Sequence, residues 1–358
     1  MYIDSLRLSQ FRNYESLDLT LSPGINVFFG DNAQGKTNIL EAVYLCGTSR
    51  SHRSGKDKDM IRFGQAEAHI RMMVKKKDAA WKLDMHLRKD KAKGIAVNGL
   101  PIRKAGELMG IVTIIFFSPE DLNIIKNGPS ERRKFLDMEL CQLDPLYLSD
   151  LMMYSKVLNQ RNHLLKDISL QSSLMSTLDI WDDQLISYGK RIIEKRTAFI
   201  KEMNELILDI HSKLTGDVEE LQLCYEPDTT EAEFDNKIKQ ARDRDLKMKI
   251  SSVGPHRDDL KVSANGTDLR KFGSQGQQRT AALSLKLSEI YMVKKKIKEC
   301  PVLLLDDVLS ELDRNRQNYL LEGIHDIQTL ITCTGLEDFM QRKLQVDRFF
   351  QVKAGQIQ

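Results

Sequence analysis

The chain has 358 residues, 41 % of them hydrophobic and 29 % charged, which is typical of a globular protein with room for two or three domains. Its 54 basic and 51 acidic residues give a net charge of +3, which excludes a disordered polyelectrolyte. No apolar run reaches the roughly 18 residues of a transmembrane helix, no signal-peptide layout opens the chain, and the five cysteines lack paired spacing, so we expect a reduced, cytoplasmic protein with no membrane contact.

The amino-terminal third of the chain has the pattern of β-strands. Apolar and polar residues alternate over residues 17–21 and 81–87, which predicts half-buried strands. Asn98-Gly99 then stands between apolar residues and predicts a hairpin, because both residues tolerate positive φ. The continuous apolar run 111–117 predicts a buried central strand.

Beyond that run the pattern becomes helical. Residues 118–121, Ser-Pro-Glu-Asp, are typical of a helix start, with a capping hydroxyl, an early proline and acids in the first turn. From about residue 130 to 214, apolar residues recur three and four positions apart without sustained heptads. We interpret this segment as a helical arm, with a plain helical bundle as the alternative. Alternation of strands and helices returns after about residue 249.

Residues 30–37 fit the phosphate-loop pattern G-x-x-x-x-G-K-[ST], between the apolar run 25–29 and a helical run over 38–46. The glycines let the backbone approach phosphate oxygens, and the helix N-terminus receives their charge. Lys36 can reach the β- and γ-phosphates, and the Thr37 hydroxyl can bind magnesium. The residues assigned to nucleotide contact are Gly30, Asp31, Asn32, Ala33, Gln34, Gly35, Lys36 and Thr37.

Two acids, Asp306 and Asp307, end the apolar run 302–305. Sheets of the α/β class place metal and water chemistry at such strand ends. We assign Asp306 to Mg²⁺ together with Thr37, and Asp307 to orienting or deprotonating the attacking water. Lys36 is the second residue assigned to catalysis, through its contact with the phosphates. A capped strand end is the alternative. The sequence has no N-K-x-D element for guanine, so ATP is favoured over GTP.

A second anion-binding pattern, Ser-Gln-Gly-Gln at residues 274–277, opens another helical run. Because the chain already has its own phosphate loop, this turn suggests a phosphate shared between two chains. A glycine-rich helix cap is the alternative.

The order of these motifs resembles that of the ABC-type ATPase heads of the SMC class, and more closely that of the RecF family of bacterial recombination proteins. The resemblance covers nearly the whole chain, and the short arm separates it from relatives with long coiled coils. It rests on residues 11–14, 30–37, 117–122, 132–137, 254–260, 273–279 and 305–313.

The resemblance implies an α/β fold, namely an ABC/SMC-type P-loop ATPase head with mixed sheets and helices. Residues 1–118 and 250–358 would form the head, and residues 119–249 an inserted helical arm. Two heads would dimerise around two ATP molecules and Mg²⁺. The residues that would complete the partner's site are Ser274, Gly276 and Gln277. Arg12 and Asn13 would lie against the base or the phosphates of the nucleotide.

The same resemblance implies a recombination mediator that binds duplex, single-stranded or gapped DNA without sequence preference and works with RecR and RecO to load RecA. It would act in DNA repair and replication restart. Four departures from the broader ABC pattern predict slow, DNA-stimulated hydrolysis used as a switch. They are Gln275, Asp307 in place of glutamate, Ser118, Glu120 or Asp121 in place of the glutamine after the strand 111–117, and no histidine after the last sheet strand, 329–333. The alternatives are a non-catalytic ATP-regulated DNA clamp and another SMC-like ATPase acting on DNA ends.

Basic residues concentrate in one segment. Residues 50–104 contain 16 Lys and Arg against 6 Asp and Glu, a local excess of +10. Lys75–Lys77 and the lysines at 89, 91 and 93 are predicted at hairpin turns or edges, where they could bind DNA phosphates. Lysines that guard a sheet edge against aggregation are the alternative. The Gly-Pro-His-Arg-Asp-Asp turn at 254–259 is predicted to support the 274–277 helix or a dimer face.

Overall fold

The computed structural model describes residues 1–53, 55–77, 79–335 and 346–357. Two compact units are formed: unit 1 comprises Met1–Asp121 and Glu289–Gln358, and unit 2 comprises Leu122–Ser288. The strands, in chain order, are β1 (Tyr2–Phe11), β2 (Tyr14–Thr20), β3 (Ile25–Phe29), β4 (Glu67–Lys76), β5 (Ala79–Arg88), β6 (Gly94–Val97), β7 (Leu100–Pro101), β8 (Ile114–Phe117), β9 (Leu221–Glu226), β10 (Asp259–Ala264), β11 (Thr267–Asp268), β12 (Val302–Asp306), β13 (Thr329–Cys333), β14 (Arg348–Lys353) and β15 (Gln356–Ile357).

The helices occupy most of unit 2 and flank the sheets of unit 1. They are α1 (Lys36–Thr48), α2 (Leu122–Lys126), α3 (Pro129–Leu143), α4 (Pro145–Ile168), α5 (Leu178–Thr215), α6 (Phe234–Met248), α7 (Leu269–Phe272), α8 (Gln275–Ile297) and α9 (Arg314–Gly323). None of these described helices combines the length and the apolar character needed to cross a bilayer.

One sheet of unit 1 is antiparallel, in the order β2-β1-β4-β5-β6-β7. Its strands follow the predicted alternation, since Leu83, Met85 and Leu87 of β5 are buried while the residues between them are partly exposed. The predicted hairpin turn is confirmed: Asn98 and Gly99 connect β6 to β7 with φ values of 52° and 82°.

The second sheet of unit 1 has the order β15-β14-β3-β13-β12-β8, with β14 to β8 parallel and β15 antiparallel to β14. Because β3, β13 and β12 are parallel neighbours, their carboxyl ends meet at one edge of the sheet. This topology brings the residues after β3 and those at the end of β12 together, although they are far apart in the chain.

Two predictions about this sheet are wrong. The apolar run 111–117 yields only the four-residue β8, which lies at the edge of the described sheet, and not at its centre. Its side chains are still buried because α1 covers them, and a Cβ at Gly47 would lie 2.3 Å from Ile114 Cδ1. Strand 329–333 is not the last of the sheet, because β14 follows it and pairs with β3. β14 contains Phe349, Phe350 and Val352, but only Val352 is buried, so its apolar residues do not follow the alternation of a half-buried strand.

Unit 2 contains the predicted long helices and a small sheet in the order β11-β10-β9. The helical pattern over 130–214 is confirmed by α3, α4 and α5, and the 38 residues of α5 span about 57 Å. The segment 119–249 is not wholly helical, since it contains β9, which pairs with β10. Residues 250–288 belong to unit 2, whereas the sequence analysis assigned them to the head. The boundaries of the functional head and arm stay a prediction.

The 254–259 turn lies among the charged groups of unit 2. Arg196 on α5, only 2 % exposed, donates to Asp258 Oδ2 (2.7 Å), Asp137 Oδ1 (2.8 Å) and the Pro255 carbonyl (2.8 Å). His256 Nδ1 lies 2.7 Å from the Tyr154 hydroxyl on α4, and burial lowers the pKa of His256, which favours the neutral ring. This turn therefore contacts α4 and α5, and it also bonds to Tyr225 of β9 and to Asp228.

Candidate nucleotide-binding site

The phosphate loop has the strand, loop and helix geometry that its sequence predicts. β3 ends at Phe29 and α1 begins at Lys36. Gly30 and Gly35 have φ values of 143° and 116°, which side chains rarely adopt. A Cβ at Gly30 would lie 2.4 Å from the Val352 carbonyl oxygen, and one at Gly35 would lie 2.5 Å from the amide nitrogen of Asn13. Both glycines are therefore required by conformation and by space.

The loop wraps around the side chain of Lys36. The Lys36 ammonium donates hydrogen bonds to the carbonyl oxygens of Gly30 at 2.7 Å and Asp31 at 2.8 Å, and the residue is 8 % exposed. These contacts hold the positive charge at the centre of the loop, where it can bind the oxygens of a nucleotide phosphate.

Thr37 and Asp306 meet as predicted. Thr37 Oγ1 donates to Asp306 Oδ1 at 2.8 Å, and Thr332 Oγ1 on β13 donates to the same oxygen at 2.8 Å. Burial raises the pKa of Asp306, and the two threonine hydrogen bonds offset part of that rise. A carboxylate beside a hydroxyl, both oxygen donors, fits the ligand preference of Mg²⁺.

Asp307, the predicted catalytic acid, has an unusual backbone conformation, with φ of 55°. Its N–H donates to Thr332 Oγ1 at 3.0 Å, and Ser310 Oγ donates to its carbonyl oxygen at 2.7 Å. Non-glycine residues held in this region cost free energy and are frequent at functional sites. Thr332 thus contacts the carboxylate of Asp306 and the backbone of Asp307, a role that the sequence did not reveal.

Arg12 and Asn13 lie beside the loop but are held by protein groups. Arg12 makes a two-point hydrogen bond with the buried Glu41 of α1, at 2.8 and 2.7 Å. Burial by itself would raise the pKa of Glu41, but Arg12 and Ser51 outweigh that effect and lower it. Asn13 donates to the Gln34 carbonyl and accepts from Asn38, both at 2.8 Å. Direct contact of either residue with nucleotide stays a prediction.

A second support for the loop, which the sequence analysis did not predict, is the turn between β14 and β15. The Ala354 N–H donates to Gln34 Oε1 at 2.7 Å, and the Gly355 N–H donates to the Gln34 carbonyl at 3.1 Å. Gly355 has φ of 74°, and a Cβ there would lie 2.6 Å from the Asn13 carbonyl oxygen. The Ala354-Gly355 pair between two short strands is the local signal for this turn.

The 274–277 turn, in unit 2, forms a reciprocal helix cap. The Gln277 N–H donates to Ser274 Oγ at 3.2 Å, and the Ser274 N–H donates to Gln277 Oε1 at 2.9 Å, which is the capping-box arrangement. Gln277 Nε2 also donates to Glu219 at 2.8 Å. Ser274, Gln275 and Gly276 are exposed. The helix-cap alternative thus describes the geometry within one chain, and the role of these residues in a partner's site stays a prediction.

The basic segment is partly paired with acids. Lys75 lies 2.6 Å from Asp4, and Lys76 and Lys77 lie within 3.9 Å of Glu299. Lys93 donates to the Ser49 carbonyl at 2.7 Å and lies 3.0 Å from Asp57. Lys89 and Lys91, between β5 and β6, are exposed. These two lysines are the best placed of the predicted set to meet a phosphate.

Comparison with known proteins agrees with this geometry. The family model of the RecF/RecN/SMC N-terminal domain matches residues 2–358. DNA replication and repair protein RecF of Agathobacter rectalis is 60 % identical over 358 residues, covering 100 % of this chain and 99 % of that protein. The protein of the same name from Clostridium botulinum is 44 % identical over 362 residues, covering 100 % and 97 %.

Solved structures show the same relationship. The recombination mediator protein RecF with ATP, of the RecFOR pathway, matches with a TM-score of 0.93 at 35 % identity, covering 100 % of this chain and 97 % of that one. An Smc head domain from Pyrococcus furiosus matches with a TM-score of 0.58 at 16 % identity, covering 100 % and 95 %, which shows a shared fold alone. The predicted fold class, an ABC/SMC-type head with mixed sheets and helices, is confirmed. Because a family model and full-length relatives both span this chain, and its phosphate loop meets Asp306 as that fold requires, the chain belongs to the RecF family.

Proposed function

We propose that this protein binds ATP with Mg²⁺, dimerises head to head when ATP is bound, and acts on DNA as a recombination mediator in repair and replication restart. The observation that carries the proposal is the phosphate loop, with Lys36 held at its centre and Thr37 bonded to Asp306 at 2.8 Å. A solved RecF with ATP, at 35 % identity, supports ATP as the ligand.

Binding would begin when phosphate oxygens replace the two loop carbonyls as partners of Lys36. Thr37 and Asp306 would hold Mg²⁺, which neutralises phosphate charge when bound. Asp307, whose backbone N–H is bonded to Thr332 and whose carboxylate accepts from Ser310 at 3.3 Å, would act on the attacking water. Its side chain is one methylene shorter than a glutamate, which favours slow hydrolysis, and we propose that this hydrolysis, stimulated by DNA, works as a switch that ends the dimeric state.

The 274–277 turn supports a site shared between two chains. Gly276 does not have positive φ, and a Cβ there would approach Ser274 Oγ no closer than 3.9 Å. Neither the backbone nor packing within the chain therefore requires glycine at this position. A group from outside the chain that approaches the helix N-terminus closely, such as the γ-phosphate on a partner, gives a reason for it.

DNA, RecR and RecO are the proposed partners, with RecA loading onto gapped DNA as the outcome and the cytoplasm as the location. The relatives named DNA replication and repair protein RecF and the RecF structure of the RecFOR pathway support this assignment. Exposed lysines in the 50–104 segment support DNA contact through phosphates, without base reading.

The test is sedimentation of the full chain without nucleotide, with ADP and with ATP, and in each case with and without gapped DNA. The wild type should dimerise only when ATP is present, and the dimer should then retain DNA. Ser274→Asp keeps an oxygen that caps α8 but places negative charge where the partner's phosphate would lie, so it should bind ATP and stay monomeric. Ser274→Asn is the control, because asparagine caps a helix equally well without charge. It should dimerise more readily than Ser274→Asp.

If Ser274→Asp dimerises at the ATP concentrations that dimerise the wild type, the shared site is overturned and residues 274–277 are a helix cap. Lys36→Ala should lose ATP binding itself. Together with Ser274→Asp it therefore distinguishes loss of ATP binding from loss of dimerisation. A non-catalytic clamp is the second candidate, favoured by Asp307 in place of glutamate. ATP-dependent dimerisation without phosphate release in the presence of DNA would support the clamp.

A further inference from the structure

Two histidines and a glutamate, residue types that ligate metals, meet on the antiparallel sheet of unit 1, whereas the phosphate loop follows a strand of the other sheet. His69 on β4 lies directly opposite His86 on β5. Glu67 precedes His69 by two residues, so both project from the same face of β4. All three side chains are on the partly exposed face, with relative exposures of 57 % for Glu67, 52 % for His69 and 34 % for His86.

The donor atoms of these residues converge. One donor atom from each residue lies within 4.8 Å of the other two. The Glu67 carboxylate receives both rings, since its Oε2 lies 2.8 Å from His86 Nε2 and its Oε1 lies 3.7 Å from His69 Nε2. The two imidazole rings are stacked, with centroids 4.1 Å apart and planes inclined by 21°.

We propose that Glu67, His69 and His86 bind one transition-metal dication of the Zn²⁺ class. Two imidazoles and a carboxylate form a ligand set that suits Zn²⁺, leaving one coordination position open. A tetrahedron with bonds of about 2.0–2.1 Å has edges of about 3.3 Å. Each histidine already lies 2.8 or 3.7 Å from one of the two Glu67 oxygens, and one donor atom from each residue lies within 4.8 Å of the others, so side-chain rotation must draw the donors together around the ion. Mg²⁺ is disfavoured because it prefers oxygen donors alone.

The surroundings of this cluster leave space for an ion and leave the Glu67 carboxylate without an arginine partner among the described residues. His69 and His86 line an open cavity of about 470 Å³, together with Gly94 of β6, which has no side chain to fill the space beside His86. The arginines around this cluster bond to other groups. Arg7, which also lines the cavity, lies 3.0 Å from Asp18, Arg71 donates to Asp84 at 2.5 Å, and Arg88, opposite Glu67, donates to the Ala92 carbonyl at 2.8 Å. Within the described residues, no arginine ion pair with Glu67 is formed.

The experiment uses Co²⁺, whose visible absorption reports four-coordinate nitrogen and oxygen ligation, with the full nucleotide-free chain after treatment with a chelator. The wild type should bind one Co²⁺ with this spectrum and release it to Zn²⁺. His69→Ala, His86→Ala and Glu67→Gln should each weaken binding at least tenfold. His325→Ala is the matched control, because His325 is an exposed histidine with a single carboxylate beside it, Asp326 at 3.0 Å.

Wild-type Co²⁺ spectra that persist in His69→Ala and His86→Ala would overturn the proposal, as would a thiolate charge-transfer band showing that cysteine holds the metal. A second readout is thermal unfolding: Zn²⁺ should raise the melting temperature of the wild type, by joining β4 to β5, and should not raise it in the His86→Ala protein. ATP binding should be unchanged in all three variants, so this inference can fail while the proposed nucleotide function stands, and the reverse.

Discussion

The carboxylate of Asp306, which would bind Mg²⁺ in the proposed function, destabilises the folded protein when no cation is bound. Its carboxylate is buried at the end of β12, where burial raises its pKa above the ordinary value of 3.8. Hydrogen bonds from Thr37 and Thr332 offset this only in part, because the net shift is still upward. In the absence of a cation, the ionised carboxylate therefore destabilises the folded state at neutral pH.

Asp306→Asn should make the protein without nucleotide and metal at least as stable as the wild type at pH 7. Between 3.8 and the raised pKa, the folded wild type binds a proton more tightly than the unfolded chain, so its free energy of unfolding falls as pH rises through that window. The amide is neutral and can still accept from both threonines. Urea unfolding in acidic and in neutral buffer would show the two stabilities converging on acidification, because the wild-type carboxyl group is then protonated in both the folded and the unfolded state.

The same variant should lose Mg²⁺-dependent ATP binding, as measured by calorimetry with and without Mg²⁺. Glu322→Gln on α9, an exposed carboxylate in the same unit, is the control and should change neither stability nor ATP binding. An Asp306→Asn protein that is clearly less stable than wild type at neutral pH would contradict the account of this site.

At the scale of elements, glycines show how packing overrides helix propensity. Gly189 is buried in the middle of α5, where glycine normally costs about 1 kcal/mol relative to alanine. A Cβ at this position would lie 2.3 Å from Phe234 Cε1 on α6 and 3.2 Å from Tyr154 Cε2 on α4. Gly189 thus allows three helices of unit 2 to approach each other.

Gly189→Ala should destabilise the protein by about 1–3 kcal/mol, because the added methyl group forces the Phe234 ring to move and this overpacking outweighs the gain in propensity. Gly323→Ala is the matched control at the end of α9, where a Cβ would meet nothing within 4 Å. It should be neutral or slightly stabilising. Chemical denaturation of both variants checks the pair, and equal effects would contradict the packing argument.

At the scale of the whole molecule, the predicted DNA contacts are electrostatic. If about four phosphates are neutralised, doubling the salt concentration should lower the affinity for duplex DNA roughly tenfold. Two unrelated DNA sequences should bind equally. Lys89→Gln combined with Lys91→Gln should reduce the slope of affinity against salt by about two, whereas Lys156→Gln, an exposed lysine of α4, should leave it unchanged. Affinity that does not respond to salt would contradict phosphate recognition.

Local sequence was sufficient wherever a structure depends on neighbouring residues. The phosphate loop, the Asn98-Gly99 hairpin and the long helices could be predicted because each follows from backbone conformation or periodicity within a short segment. The pairing of Thr37 with Asp306 also could be predicted, since a phosphate loop and an acid at a strand end have one common arrangement in a parallel sheet.

Contacts between distant segments were decided by the tertiary structure. Thr332 beside Asp306, the 354–355 turn against Gln34, and the edge position of β8 depend on strand order, which no local pattern records. The same holds for β9, which pairs with β10 and thereby places residues 250–288 in unit 2, and for Glu67, His69 and His86, whose proximity depends on the register of β4 and β5. By itself the sequence determined the chemistry of the loop and its acids, because that chemistry is local; the tertiary structure decided what supports and surrounds them, because hydrogen-bond register joins residues that are far apart in the chain.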